Sequence, residues 1–218
     1  MIIDKQLEDK VRSLCERLNI SSVFDFVSIN NPSNNLPYHN WYHALCMVEK
    51  CVEGGNYHNL PYHSLRHLAV AALFHDFAHS GGKEEDLVNI SLAKMSLQRL
   101  ADQSVDATIS PGIDVREVKE IIAVTEYPYV LDPICIEQKI IRDADLMQAF
   151  RPTWKEMIID GLREEMIIKL NKNLTEKDML EGQVAFLKKV HPCSAWGKYV
   201  MFDCGQLDIA ILNITGLI

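Results

Sequence analysis

Three short segments of this chain carry side chains that bind metal ions in proteins. Two of them place histidines four residues apart, and the third is a pair of aspartates separated by one residue. The middle segment directly follows an apolar run, Leu68 to Phe74. In chain order the candidate residues are His39 and His43, then His75, Asp76 and His79, then Asp143 and Asp145.

A mixed set of imidazoles and carboxylates suits Mn²⁺, Mg²⁺, Fe²⁺, Co²⁺, Ni²⁺ or Zn²⁺, and the absence of cysteine from the set argues against a structural zinc site. An incompletely filled coordination shell leaves room for a water molecule, which a divalent cation converts into a nucleophile near neutral pH. A metal site of this kind can hydrolyse a phosphate ester. Asp143 and Asp145 point in different directions on a helix, so we expect only one of them to face the site.

Helices are predicted to position these groups. The apolar run continues into a helix that we expect to begin near Ser64, to run to about His79 and to end at Gly81-Gly82. His75 and His79 would then share one face of that helix. Helical periodicity also predicts a helix from Asn40 that ends at Gly54-Gly55. Further helices are predicted at 4–19, 23–29, 84–101, 115–127, 136–150, 153–170 and 176–190, with Thr175 as the N-cap of the last.

The connecting segments favour an all-α domain. Residues 30–40 are rich in proline and asparagine, which predicts a surface loop, and residues 102–114 predict a second loop. The apolar tail, 194–218, is compatible with strand or helix. No run of alternating residues indicates a sheet, so we predict a single all-α domain over residues 1–218.

Composition restricts the partners. The chain has 218 residues and a net charge of −8, which argues against nonspecific binding of a nucleic-acid polymer. The first residues lack a basic and then apolar signal segment, and no apolar run approaches the ~18 residues that cross a membrane. The six cysteines contain no pair spaced C-x-x-C. We therefore expect a cytoplasmic protein with free thiols and no membrane partner.

The order H…HD…D resembles the HD-domain metal-dependent phosphohydrolase superfamily, over roughly residues 38–165. The segments YHNWYHA (38–44), HDFAHSG (75–81) and DLVNISLA (86–93) are similar to those of class I cyclic-nucleotide phosphodiesterases. The segment TWKEMIIDGLREEM (153–166) is similar to small bacterial and viral predicted HD phosphohydrolases. The resemblance implies an all-α helical bundle with the metal site between helices.

The resemblance also implies residue roles. It assigns His43, His75, Asp76 and Asp145 as ligands of one or two divalent metal ions, and Asp145 is preferred to Asp143 because it directly precedes a leucine. His39 would protonate the leaving oxygen, Asp76 would bridge or bind the metal most strongly, and His79 would support a second metal or the bridging water. The implied reaction is hydrolysis of a nucleotide or another small phosphoester by a metal-bound hydroxide.

Three cationic residues are candidates for substrate binding. Lys83 follows the two glycines, and Arg142 and Arg163 flank the last ligand segment, where an arginine fork suits a phosphate group. Exposed lysines and surface salt bridges are the ordinary alternative for each of them. A structural role is likewise the alternative for His39 and His79.

Two other functions use the same ligand set. An HD-type di-iron oxygenase needs similar His and Asp ligands, and a non-catalytic domain can keep the fold and bind a nucleotide. The sequence leaves the oligomeric state open.

Overall fold

The computed structural model describes residues 4–103 and 110–218, and within these ranges every regular element is a helix. This confirms the predicted all-α fold. A 3₁₀ helix at Met147–Phe150 and π-helical turns at Lys155–Leu162 and Tyr199–Asp203 accompany the α-helices. The α-helices of these ranges are α1 Lys5–Arg17, α2 Ser21–Asn30, α3 Trp41–Tyr57, α4 Tyr62–Phe74, α5 Asp86–Gln103, α6 Val115–Ala123, α7 Ile136–Leu146, α8 Arg163–Leu170, α9 Glu176–Leu187, α10 Ala195–Lys198 and α11 Gln206–Thr215.

Helix α4 lies at the centre of the molecule. It packs against α2, α3, α5, α6 and α7, and every residue from Leu68 to Phe74 is buried. A helix that is covered on all sides has no polar face, which explains why this stretch is a continuous apolar run rather than an amphipathic pattern. The central helix therefore fixes the depth and direction of the segment that follows it.

The ends of α4 differ from the prediction. The helix begins at Tyr62, with Pro61 as its N-cap, rather than near Ser64. It ends at Phe74, and His75 is the C-cap. The metal-capable residues at 75, 76 and 79 are consequently carried by a turn after the helix, and the predicted helical face shared by His75 and His79 is wrong.

Helix α3 passes through Gly54-Gly55, where the sequence predicted its end. The two glycines serve close packing instead. A Cβ atom on Gly54 would lie 2.7 Å from the ring of Trp196, and one on Gly55 would lie 2.4 Å from Leu65. The helix continues because these neighbours replace the side chains that the glycines lack.

Other boundaries follow the sequence more closely. The Thr175 side chain accepts a hydrogen bond from Asp178 N in a capping box, which confirms the predicted N-cap of α9. The tail, left open between strand and helix, is helical. The predicted loop at 102–114 falls in part on residues 104–109, which lie outside the described residues. No helix in the described ranges has both the length and the apolar character that crossing a membrane requires.

The segment between α2 and α3 is less exposed than predicted. Asn31, Ser33, Tyr38 and Asn40 are all buried, although the segment was expected to be a surface loop. Its polar side chains bond main-chain atoms, as the Asn40 amide does with the carbonyls of Leu36 and Pro37. The segment therefore forms part of the scaffold around the turn that follows α4.

Candidate metal centre

The turn after α4 is held from the side by the segment that precedes α3. The Ser33 hydroxyl donates to the Asp76 carbonyl at 2.9 Å, and the Asn31 side-chain oxygen accepts from Ala78 N at 2.9 Å. Ala78 has a φ of 63°, a left-handed conformation that costs free energy for a residue with a Cβ. These contacts fix the conformation of the turn, and with it the direction of the Asp76 carboxylate.

Two other helices bring the remaining ligand candidates to the same point. His43 lies in the first turn of α3, where the Asn40 side chain accepts a hydrogen bond from His43 N at 3.1 Å. Asp145 lies in the last turn of α7, a helix that packs against both α3 and α4. The ligand candidates thus come from the beginning of one helix and the ends of two others.

Four donor atoms converge. His75 Nε2 lies 2.9 Å from Asp76 Oδ2 and 3.2 Å from His43 Nε2. His43 Nε2 also lies 3.4 Å from Asp76 Oδ2 and 3.2 Å from Asp145 Oδ1. Around a cation with bonds of about 2.1 Å, neighbouring donors of an octahedron or a tetrahedron are separated by about 3.0–3.4 Å. The four distances given are those of neighbouring ligands, and the ligand atoms of His43, His75 and Asp145 all lie within 4.8 Å of one another, so these three residues could hold a cation with Asp76 beside them.

Hydrogen bonding in the cluster also fits a cation. His75 Nδ1 lies 2.9 Å from the Ala72 carbonyl, a contact that places the proton on Nδ1 and turns the Nε2 lone pair toward the cluster. Within residues 4–103 and 110–218, the buried Asp76 Oδ2 has no hydrogen-bond donor of suitable geometry. Buried polar atoms need a partner, and a metal ion bound at this cluster would be a partner for Asp76 Oδ2.

The charges of the cluster balance each other. Burial lowers the pKa of His75, but the carboxylates of Asp76 and Asp145 outweigh it and raise that pKa to about 9. Burial raises the pKa of Asp76, but His75, His39 and His43 outweigh it and hold that pKa well below its usual value. A divalent cation would take the place of the imidazolium charge, so binding a metal would release a proton.

One side of the cluster is open. The side chains of Asp76 and Asp145 are 18% and 29% exposed, whereas that of His43 is 2% exposed. The imidazoles therefore form the floor of the site, and the carboxylates lie at its edge. The two carboxylate side chains therefore form the side of the cluster that faces solvent.

A second group of titratable residues adjoins the cluster. The His39 and His79 rings stack with their centroids 3.6 Å apart, and His79 Nε2 lies 3.8 Å from Asp86 Oδ1. His39, Asp76 and His79 each place one ligand atom within 4.8 Å of the others. Asp76 connects this group to the first cluster, because its Oδ2 also lies 2.9 Å from His75 Nε2 and 3.4 Å from His43 Nε2.

Glu165, a residue that the sequence reasoning missed, fixes His39. Its Oε2 lies 2.5 Å from His39 Nδ1, and its Oε1 accepts from the main-chain N–H groups of Tyr38 and His39. Burial lowers the pKa of His39, but Asp76 and Glu165 outweigh it, so this pKa is raised. A signal was present in the sequence, because Glu165 follows Ile158 by seven residues and Leu162 by three, on the apolar side of its helix.

The structure separates the two aspartates of α7. Asp145 reaches His43, whereas Asp143 is fully buried and points toward the start of α10. Asp143 accepts hydrogen bonds from Cys193 N at 2.7 Å, from Ser194 N at 2.8 Å and from the Ser194 hydroxyl at 2.6 Å. Asp143 therefore anchors a neighbouring segment.

The three candidates for substrate binding have different surroundings. Lys83 is exposed in the segment before α5. Arg142 is buried, donates to the carbonyls of Val124 and Leu131, and lies 4.0 Å from the ring centre of Tyr129. Arg163 donates to the carbonyls of Ile159 and Leu174. The two arginines therefore have structural contacts with main-chain oxygens, and Lys83 is the more accessible cation.

Comparisons with protein-family models, with curated proteins and with solved structures found no match to this chain. Its function is therefore inferred from the residues and the geometry described above.

Proposed function

We propose that this protein is a divalent-metal-dependent phosphohydrolase of the HD type. The observation that carries the proposal is the convergence of His43, His75, Asp76 and Asp145, with donor atoms 2.9–3.4 Å apart, beside the hydrogen-bonded pair of His39 and Glu165. Metal ligands next to an oriented imidazole are the groups that hydrolysis of a phosphoester needs.

The ligand residues would hold the cation at the open edge of the cluster. When bound there, a divalent metal supplies a Lewis acid that activates water and stabilises negative charge on phosphate oxygens. His43 and His75 would bind through Nε2, and Asp76 and Asp145 would contribute carboxylate oxygens. The donor set is compatible with Mn²⁺, Mg²⁺, Fe²⁺, Co²⁺, Ni²⁺ and Zn²⁺.

His39 would act as the general acid. Its Nδ1 is engaged by Glu165, so Nε2 is the nitrogen left to carry a proton toward the substrate. Burial lowers the pKa of His39, but Asp76 and Glu165 outweigh it, and the Glu165 contact, which does not involve a ligand residue, favours the protonated ring. The imidazolium then protonates the departing oxygen, a contribution worth about 10²–10⁴-fold in rate for a well-placed acid.

Glu165 would orient His39 without touching the substrate. Its carboxylate is buried, and two main-chain N–H groups hold it at 2.8 and 3.1 Å. A carboxylate fixed in this way determines the tautomer and the direction of the ring that it contacts. The proposal therefore treats Glu165 as a positioning residue.

The test is hydrolysis by the purified protein of cyclic nucleotides, nucleoside mono- and triphosphates, signalling dinucleotides and simple phosphomonoesters, each with the six metals above. Turnover should depend on added metal, and Asp76→Ala should lose both the bound metal and the activity. His39→Gln should keep the metal and lose about 10²–10⁴-fold in kcat. Tyr62→Ala, at an exposed tyrosine of α4, is the matched control and should behave like the wild type.

Two results would contradict the proposal. Bound iron together with an oxygen-dependent product would favour the di-iron oxygenase. A tight nucleotide complex without turnover in any metal would favour the binding module. Metal content per chain, measured on the same samples, gives the number of ions that the two residue groups hold.

A further inference from the structure

The loop between α6 and α7 exposes an unusual number of apolar side chains. Tyr127 is 52% exposed and Tyr129 39% exposed, and their ring centres are 5.4 Å apart in an edge-to-face arrangement. Val130, Leu131 and Ile134 are also exposed, at 70%, 47% and 87%. Exposed apolar side chains that are contiguous rather than scattered usually mark a binding surface.

The backbone of Tyr127 is hydrogen-bonded to Asp86, which lies beside His79 of the second group. Tyr127 N donates to Asp86 Oδ2 at 2.6 Å, and the other oxygen of Asp86 lies 3.8 Å from His79 Nε2. The His79 ring in turn stacks on His39, the proposed acid. One carboxylate therefore connects the Tyr127 backbone to the rim of the metal centre.

The ring of Tyr129 packs against Arg142, a residue of the helix that carries Asp145. The guanidinium of Arg142 lies 4.0 Å from the ring centre of Tyr129, and Arg142 is three residues before Asp145 on α7. Arg142 also donates to the carbonyls of Val124 and Leu131, on either side of the two tyrosines. Burial and the charge on Asp145 raise the pKa of Tyr129, and the charge on Arg142 opposes them.

We propose that Tyr127 and Tyr129 form a stacking platform for the planar base of a nucleotide whose phosphate is bound at the metal centre. The proposal rests on the proposed function, and it adds the residues that recognise the organic part of the substrate. Aromatic side chains accept any base on their faces, and one stacked base contributes about 5- to 150-fold in affinity. Arg142 supports the platform from below through its contact with the Tyr129 ring.

Charge and position favour a base over other occupants. A base is neutral, whereas the carboxylates of Asp76, Asp86 and Asp145 at the same rim would repel an added anion. Asp86 connects the Tyr127 backbone to His79, and Arg142, which contacts the Tyr129 ring, lies one helical turn before Asp145 on α7. A ligand that reaches both the platform and the metal centre needs a phosphate and a flat apolar group separated by a short linker, which describes a nucleotide.

The test is calorimetric titration of the Mn²⁺-loaded protein with adenosine 5′-monophosphate and with ribose 5-phosphate, which lacks the base. The wild type should bind the nucleotide about 5- to 150-fold more tightly. Tyr127→Ala and Tyr129→Ala should lose most of this difference and leave the affinity for ribose 5-phosphate unchanged. Tyr127→Phe and Tyr129→Phe should restore it, because stacking needs only the ring.

Tyr62→Ala is the control, since Tyr62 is also 52% exposed but lies on α4 against the carbonyl of Arg17. Equal affinity of the wild type for the two ligands would overturn the inference, and so would an alanine variant that retains the full difference. Because the titration measures binding, its failure is distinct from that of the proposed function. Hydrolysis of phosphoesters that does not depend on the tyrosines would overturn only the platform, whereas tyrosine-dependent binding without turnover would overturn only the phosphohydrolase.

Discussion

The two aspartates of α7 offer a sharp test of the metal centre, because they differ by two positions and have opposite surroundings. Asp145 lies 3.2 Å from His43 Nε2 and is 29% exposed, whereas Asp143 is fully buried among donors of the segment before α10. We consider Asp145→Asn and Asp143→Asn. Each substitution removes one charge and keeps the side-chain shape, so any difference between the variants comes from their contacts.

Metal binding stabilises only the folded state. At a free metal concentration 100-fold above Kd it contributes about 2.7 kcal/mol, which raises the unfolding midpoint of a chain of this length by about 5–11 °C. Loss of the hydrogen-bond partner of a metal ligand weakens metal binding by roughly 10–100-fold. Loss of the ligand itself should weaken metal binding by more than this. At the same metal concentration the shift for Asp145→Asn should therefore fall to about 2 °C or less. Without metal this variant should differ from the wild type by less than about 1 kcal/mol, as expected for a partly exposed ion pair.

Asp143→Asn should do the reverse. Both carboxylate oxygens accept hydrogen bonds, and the amide group of asparagine would leave a buried N–H of Cys193 or Ser194 without an acceptor. An unpaired buried donor costs about 1–3 kcal/mol, and loss of the charge weakens the bonds that remain. Gly197 packs so closely that a Cβ there would lie 2.2 Å from Asp143 Oδ2, which leaves little room to adjust. We expect a loss of about 2–4 kcal/mol and a midpoint lower by about 4–16 °C.

The assay is thermal unfolding of the three proteins, followed by circular dichroism with and without Mn²⁺ and after treatment with a chelator. Asp145→Asn should lose the metal-induced shift and keep its metal-free midpoint, and Asp143→Asn should lose stability and keep the shift. The reasoning is refuted if Asp145→Asn retains the full shift. It is also refuted if Asp143→Asn loses the shift at an unchanged metal-free midpoint, because that would exchange the roles of the two carboxylates.

Three further predictions follow from particular contacts. Glu165→Gln should lower kcat by about 10–100-fold and lower the pKa of His39. Because the acid acts in its protonated form, the alkaline limb of the pH–rate profile should move to lower pH. An alkaline limb that does not move would contradict the pairing of His39 with Glu165. Gly54→Ala should destabilise the protein by about 1–3 kcal/mol in urea unfolding through overpacking against Trp196, whereas Gly182→Ala, with no atom within 4 Å of the new Cβ, should stabilise α9 by up to about 1 kcal/mol. Removal of metal by dialysis against a chelator should abolish hydrolysis and leave the far-ultraviolet circular dichroism unchanged, because the buried apolar residues Leu68 to Phe74 hold the central helix without a metal. Unfolding on chelation would contradict this expectation.

The resemblance in the sequence named the four residues whose donor atoms meet in the structure. Residue types and order alone left open which histidine of the first segment and which aspartate of the third segment take part, and the resemblance selected His43 and Asp145. The boundaries near glycine were less predictable. Gly54 and Gly55 are typical helix terminators by sequence, yet the packing of Trp196 and Leu65 against them lets α3 continue.

The sequence by itself determined the all-α fold, the apolar central helix and the set of side chains available for chemistry, because these depend on residue type and local spacing. Only the tertiary structure decided which residues meet. The pairing of His39 with Glu165 joins positions 126 apart, and the contact of Asp143 with Ser194 joins positions 51 apart. No local period encodes such contacts, since they depend on how separate helices pack around α4. The central helix also ends at Phe74, so Asp76 lies in a turn that hydrogen bonds from Asn31 and Ser33 hold in place.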